Sequence, residues 1–127
     1  MSLISIGLCG LLGVFARYYL WVVVGKQAIA YVPLATMLIN ICGSFCAGVM
    51  YGLAVERNYF SPQVSLGIMV GFLGGFTTFS TFSLETVMFF ERGESLRGLV
   101  YLVLSPLLGF IGAYSGIVVT RYLSART

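Results

Sequence analysis

Residues 62–90 read PQVSLGIMVGFLGGFTTFSTFSLETVMFF, and the middle of that run decides the fold. It is apolar enough to enter a bilayer, yet residues 74–83, GGFTTFSTFS, place Thr77, Thr78, Ser80, Thr81 and Ser83 among phenylalanines that recur at every third position. As one helix these 29 residues would run about 43 Å, against a hydrocarbon core of roughly 30 Å. Tilt absorbs part of the excess. Gly74-Gly75 lowers helix propensity at the centre, and threonine hydroxyls just after it can re-satisfy freed backbone groups. The pattern therefore predicts a third helix broken near its middle, at residues 74–78. Non-helical backbone at membrane depth is tolerated only inside protein or beside a watery cavity, so the break is also a pointer to a site.

Working outward, the same composition continues along the chain. Of 127 residues, 59% are hydrophobic and 9% charged, with a mean hydropathy of +1.00. A soluble domain has about a quarter of its residues charged, so the fold class is all-α integral membrane, a single transmembrane domain over residues 1–127. At about 20 apolar residues per span, helices are expected near residues 3–24, 33–55, 62–90 and 96–123. Pro33 and Pro62 stand where helices should start, and residues 91–94, ERGE, separate the last two. The first run lacks a basic leader and a cleavage site, so it reads as a retained span.

Several functions are poorly supported. Cys9, Cys42 and Cys46 are odd in number and lie inside apolar runs, and there is no histidine, so neither a disulfide framework nor a zinc or haem centre is expected. Glu56, Glu85, Glu91 and Glu94 form no catalytic pair, and no Ser/His/Asp or Cys/His set exists. The chain reads as not an enzyme. Its net charge of +3 comes from scattered residues at segment ends, which carry topology information and do not form a nucleic-acid surface.

Polar groups inside a membrane are costly, and each is a functional candidate. They are Arg17, Thr36, Asn40, Ser44, Thr77, Thr78, Ser80, Thr81, Ser83, Glu85, Tyr101, Ser105 and Tyr114. Asn40 with Ser44, and Tyr101 with Ser105, are one helical turn apart and make two stripes. Interhelical hydrogen bonding explains some of these groups; a lined path explains the set. Hydroxyls, an amide and one arginine against a single acid well inside the spans favour an anion. Phe79 and Phe82, neighbours on a helix, could offer positive ring edges to it, weakly enough to let it leave.

Small residues at helix-packing spacing (Gly43 with Ala47, Gly48 with Gly52, Gly67 with Gly71, Gly112 with Gly116) predict close helix contacts and fit a tight homo-oligomer. Basic residues balance across the membrane: Arg57, Arg121 and Arg126 on one side, Lys26, Arg92 and Arg97 on the other, with Arg17 undecided. Since Lys/Arg bias sets orientation, the tie predicts insertion both ways and an antiparallel pair.

The residues that carry this reading resemble a known family. GGFTTFSTFSLET (74–86), GVFARY (13–18) and NICGSF (40–45), with Tyr101 and Ser105, are similar to the motifs of the Fluc or CrcB family of small bacterial fluoride channels. The resemblance covers all four spans. It implies a multi-pass protein of the bacterial cell inner (cytoplasmic) membrane that exports fluoride passively and protects the cell from fluoride toxicity. It also implies a dual-topology antiparallel homodimer and a structural sodium ion, Na+, at the dimer centre. Residue by residue, Phe79 and Phe82 would flank the fluoride ion, and Asn40 would be a donor near it. Ser80, Thr81 and Glu85 would belong to the polar track, with Ser83 and Thr36 beside them, and Arg17 to the vestibule. Gly74 and Thr77 would turn backbone carbonyls to sodium. The alternative is a small four-helix multidrug transporter coupled to protons, which normally needs a buried acid in helix 1; here helix 1 carries Arg17 and no acid.

Overall fold

The protein, in a computed structural model that describes residues 2–25 and 33–125, is built from helices, and among the described residues there is no strand. Four helical stretches are long and apolar enough to cross a membrane: Leu3–Gly25, Leu34–Glu56, Pro62–Glu91 and Ser95–Ser124. The first is α1 (Ser2–Gly25). The second is α2 (Leu34–Met50), which widens into π-helical turns over Tyr51–Glu56. The third begins with α3 (Pro62–Leu66), where Ser61 caps the helix by accepting from the Val64 amide and Pro62 occupies the first turn. It continues through π-helical turns over Gly67–Leu73 and α4 (Gly74–Phe76), and resumes as α5 (Phe79–Glu91). The fourth is α6 (Ser95–Ser124), with Pro106 inside it.

Gly93 closes α5. Its φ of 73° is the left-handed conformation that lacks a penalty only for glycine, and it lets Glu94 N–H reach Phe89 and Gly93 N–H reach Phe90 in a Schellman turn. Lys26 and Arg126, two of the charges weighed for topology, lie outside the described residues.

The third span changes neighbours along its length. Up to Phe76 it lies against α1, and after Thr78 it packs on α6, while α2 and α6 form the most extensive helix pair. Glycines set these distances. A Cβ on Gly13 or Gly75 would run into the backbone of Phe72 or Gly10, and one on Gly71 into Ile6. In the α2–α6 seam a Cβ on Gly116 would fall 2.8 Å from the Val49 nitrogen, and one on Gly112 3.0 Å from the Ile41 carbonyl oxygen. Of the small residues expected at close helix contacts, Gly48, Gly71, Gly112 and Gly116 face backbone of the same chain, while Gly43, Gly52 and Gly67 face its side chains.

Two apolar clusters anchor the packing: Met50, Ala54 and Leu73, supported by Ala47, Ile68, Met69 and Phe72, and then Phe82, Phe89 and Tyr101 with Met37. Around them most large apolar side chains face outward, and α1 buries only Gly13 fully. In water that pattern would be unstable; for a chain surrounded by lipid it is the expected state.

Candidate functional site

The site grows from two residues. Thr77 (φ −79°, ψ 158°) and Thr78 (φ −148°, ψ 110°) are extended, while Gly74 (φ −64°, ψ −36°) is still helical. Thr77 closes the preceding turn twice, its amide and its hydroxyl both donating to Leu73 O at 3.0 and 2.9 Å. Thr78 opens the next helix: its Oγ1 accepts from Thr81 N at 3.3 Å and donates to Thr81 Oγ1 at 2.9 Å, with Ser80 Oγ at 3.4 Å. Two other helices hold the pair. From α2, Asn40 Oδ1 accepts from Thr78 N at 2.8 Å and Asn40 Nδ2 donates to Thr78 O at 3.1 Å. From α1, Arg17 Nη1 donates to Thr77 O at 3.3 Å.

Beyond Thr78, α5 carries the aromatic wall. The Phe79 and Phe82 rings are 5.8 Å apart and tilted by 47°, and Phe82 in turn meets Tyr101 at 5.2 Å. Their surroundings differ sharply. Phe82 is 6% exposed, whereas Phe79 is 79% exposed and presents its ring to whatever lies beside the chain. An open cavity of about 410 Å³ runs along this wall between Asn40 and Ser44 of α2, Thr77, Thr78, Phe79 and Phe82 of the third span, and Ser105, Pro106, Gly109 and Phe110 of α6.

One turn further, three helices converge on a carboxylate. Thr36 Oγ1 donates to Glu85 Oε1 and Tyr101 OH to Glu85 Oε2, each at 2.8 Å. Thr36 and Tyr101 are both buried, and the acid between them is half-buried. The hydroxyls of Ser83 and Thr86 turn the other way, donating to the carbonyls of Phe79 and Phe82 at 2.9 and 2.8 Å. Ser83 therefore has its proton engaged by its own helix, unlike a donor waiting for an anion.

The structure thus joins Asn40, Thr77, Phe79, Phe82 and Ser105 around one groove, and Thr36, Glu85 and Tyr101 around one acid, with Phe82 against Tyr101 as the link. Ser80 and Thr81 attach through Thr78. Arg17 joins the extended pair, its guanidinium donating to Thr77 O. Among the described residues no group of three or more His, Cys, Asp or Glu could hold a metal. Sequence reasoning counted Thr78 among the polar candidates but gave it no role of its own. Its signal was Thr78-Phe79-Ser80-Thr81, a capping residue three positions before a hydroxyl at the start of an apolar helix. Ser44 and Phe110 also line the groove, and nothing in sequence order tells a lining residue on α6 from a lipid-facing one.

Residues 4–117 match the family model described as CrcB-like protein, Camphor Resistance (CrcB). The chain belongs to the CrcB-like family. Among its curated relatives, the fluoride-specific ion channel FluC of Geotalea daltonii is 40% identical over 96% of this chain and 98% of its own length. Those of Hahella chejuensis (38% identical, 95% of each chain) and Ruminiclostridium cellulolyticum (35%, 98% of this chain and 96% of its own) are similar throughout. The CrcB-like match runs from the start of α1 to late α6, so it includes every residue placed above in the groove and around Glu85.

Proposed function

We propose that this chain is a fluoride-specific ion channel, not an enzyme, and that the groove beside Thr77–Phe82 is part of its path. The observation that carries the reading is the near end-to-end likeness to relatives named as fluoride-specific ion channels. The chemistry of the groove supports it. Fluoride is small and strongly hydrated, so a path for it must replace water with several close donors and stay too narrow for chloride. Ring edges of Phe79 and Phe82 give weak electropositive contacts, and the second Asn40 N–H and the Ser105 hydroxyl border the same space. None binds so strongly that the ion could not leave. A membrane potential negative inside drives anions outward, so no energy-coupling site is required. Helix α1 holds Arg17 and no acid, which disfavours the proton-coupled drug transporter.

The finer assembly belongs to the same reading. The channel works as an antiparallel, dual-topology homodimer in the bacterial cytoplasmic membrane. Supporting this are the three-against-three count of basic residues, to which Arg17 adds no vote because it faces Thr77, and a groove that lacks a wall on the side where Phe79 is exposed. A structural sodium ion would sit between the two copies on the carbonyls of Gly74 and Thr77. The donor set fits: these are neutral oxygens suited to a hard cation, the amide that a continuous helix would aim at Gly74 O is bonded to Asn40 instead, and Thr77 O, which accepts from Arg17, keeps a second lone pair. When bound, the ion would supply positive charge that ties the two third spans together.

Purified protein in liposomes tests the function. Fluoride efflux under a potassium-valinomycin potential should exceed chloride efflux by orders of magnitude and need no proton gradient. Equal passage of the two anions, or uptake of cationic dyes driven by a pH gradient, would overturn the reading.

A further inference from the structure

We infer that Asn40 is a positioning residue: its carboxamide acts as a strand partner for Thr78 and sets the direction in which α5 leaves the extended pair. The geometry is that of backbone recognition. In an antiparallel ladder two opposed residues exchange N–H and C=O, and Asn40 makes the same exchange with Thr78 alone, accepting at 2.8 Å and donating at 3.1 Å. Thr78 is buried at the edge of the groove, so its peptide groups depend mainly on protein partners, and a bare amide or carbonyl at membrane depth costs several kcal/mol. The bond on the amide also decides the local fold, since that N–H would otherwise continue the helix onto Gly74 O. Arg17 holds the other end of the same peptide unit, the Thr77 carbonyl, from α1 through a single contact at 3.3 Å, but the Thr78 carbonyl lies in the next peptide unit and is held from Asn40.

The consequence reaches the aromatic wall. Thr78 caps α5 through Thr81, so fixing Thr78 fixes the first turn of α5 and with it the approach of Phe79 to Phe82. Both ends of the Asn40 carboxamide are engaged within the chain itself, and one N–H is left for the groove. Donating to an anion and holding Thr78 are therefore separable tasks. A serine at position 40 keeps a donor but cannot reach both peptide groups of Thr78, whereas glutamine keeps the carboxamide one methylene further out.

Only the flux arm of the test rests on the channel reading. Residue-resolved amide exchange by NMR on reconstituted protein in fluoride-free buffer should show Thr78 as protected as the α2 core. Asn40→Ser should speed exchange at Thr78 by about 100-fold while Ile39 and Gly112 stay protected. The fluoride-to-chloride flux ratio should fall about tenfold in the same variant, with partial recovery in Asn40→Gln. Unchanged protection at Thr78 in Asn40→Ser would overturn the clamp whatever the flux does. A loosened Thr78 with unchanged selectivity would overturn the positioning role. If Asn40→Ser does not fold, wild-type protein decides: a contact between Asn40 Nδ2 and the Thr78 carbonyl in fluoride-free solid-state NMR spectra supports the inference, and its absence overturns it. Wild-type protein that passes no fluoride at all would sink the channel reading and leave the exchange measurement standing.

Discussion

The α2–α6 seam and the extended pair at Thr77–Thr78 are both places where backbones come close, and they achieve it in opposite ways. In the seam the side chains are missing: Gly48, Gly112 and Gly116 let one helix backbone rest on the other, with Ala113, Ile41 and Phe45 carbonyls as the surfaces touched. At the extended pair the side chains are everything: Asn40 and Arg17 reach from two helices to groups that regular helix would have satisfied internally. The seam is closed within one chain and tolerates no added atom. The pair borders a groove and leaves Phe79 bare. A membrane protein has no strong hydrophobic force between helices, so close packing must supply rigidity; the polar exception can then be held open beside it.

The largest expected effect breaks the seam. Gly116→Leu puts its Cβ onto the Phe45 carbonyl and 2.8 Å from the Val49 nitrogen, both backbone atoms that cannot move aside alone. Overpacking of this kind costs about 1–3 kcal/mol or more in a core, and here two spans would have to separate. The expected outcome is loss of the folded protein, measured as aggregation in detergent gel filtration. Recovery of a monodisperse, heat-stable variant would mean that the seam is not the rigid half of the comparison.

How far the sequence carried this division is clear from particular residues. The four long apolar helices are written in composition, and so is the polar inventory of the third span. The small-residue spacing pointed to close contacts, but Gly48 and Gly116 meet α6 and α2 of the same chain, because which surface a helix face covers is a tertiary matter. Gly74-Gly75 carries the low helix propensity, yet Gly74 is helical and the residues with extended dihedrals are the threonines after it. Low helix propensity only permits a helix to end; the bonds from Asn40 determine where. The same limit hid the meeting of Thr36, Glu85 and Tyr101, which come from three helices and share no sequence period. Ser83 looks identical to Ser80 in one dimension, but it lies a full turn inside α5, where Phe79 O is within reach of its hydroxyl, whereas Ser80 sits in the first turn beside Thr78.

The next effect in size is on flux and separates the two rings. Phe79→Ile and Phe82→Ile each remove a ring edge from the groove and should lower fluoride efflux from liposomes by about 100-fold or more, the cost of losing transition-region contacts worth a few kcal/mol. Their stabilities should diverge. Phe82, buried against Tyr101, leaves a void whose cost is about 1–3 kcal/mol, whereas Phe79, 79% exposed, leaves none within the chain. Thermal unfolding of both variants beside the flux assay checks the pair. Wild-type flux in both would remove the aromatic edges from the mechanism and leave the hydroxyls as the path.

The smallest effect sharpens the boundary between closed and open surfaces, because it falls on two adjacent glycines. A Cβ at Gly75 would lie 2.6 Å from the Gly10 carbonyl oxygen and 3.3 Å from the Val14 nitrogen, both on α1, so Gly75→Ala forces α1 away at a cost of about 1–3 kcal/mol. A Cβ at Gly74 meets nothing within 4 Å, and its backbone is ordinary right-handed helix. Within one chain Gly74→Ala should therefore be neutral or stabilising by up to about 1 kcal/mol, the gain of alanine over glycine in a helix. Chemical unfolding in detergent, with and without sodium, measures both. The carbonyl proposed for sodium belongs to the backbone and survives either substitution, so the ordering of the two variants should be the same in both buffers. Should Gly74→Ala instead prove the more damaging of the two, the open side of Gly74 must be occupied in the working assembly, and the comparison between a closed seam and an open pair would hold only for the isolated chain.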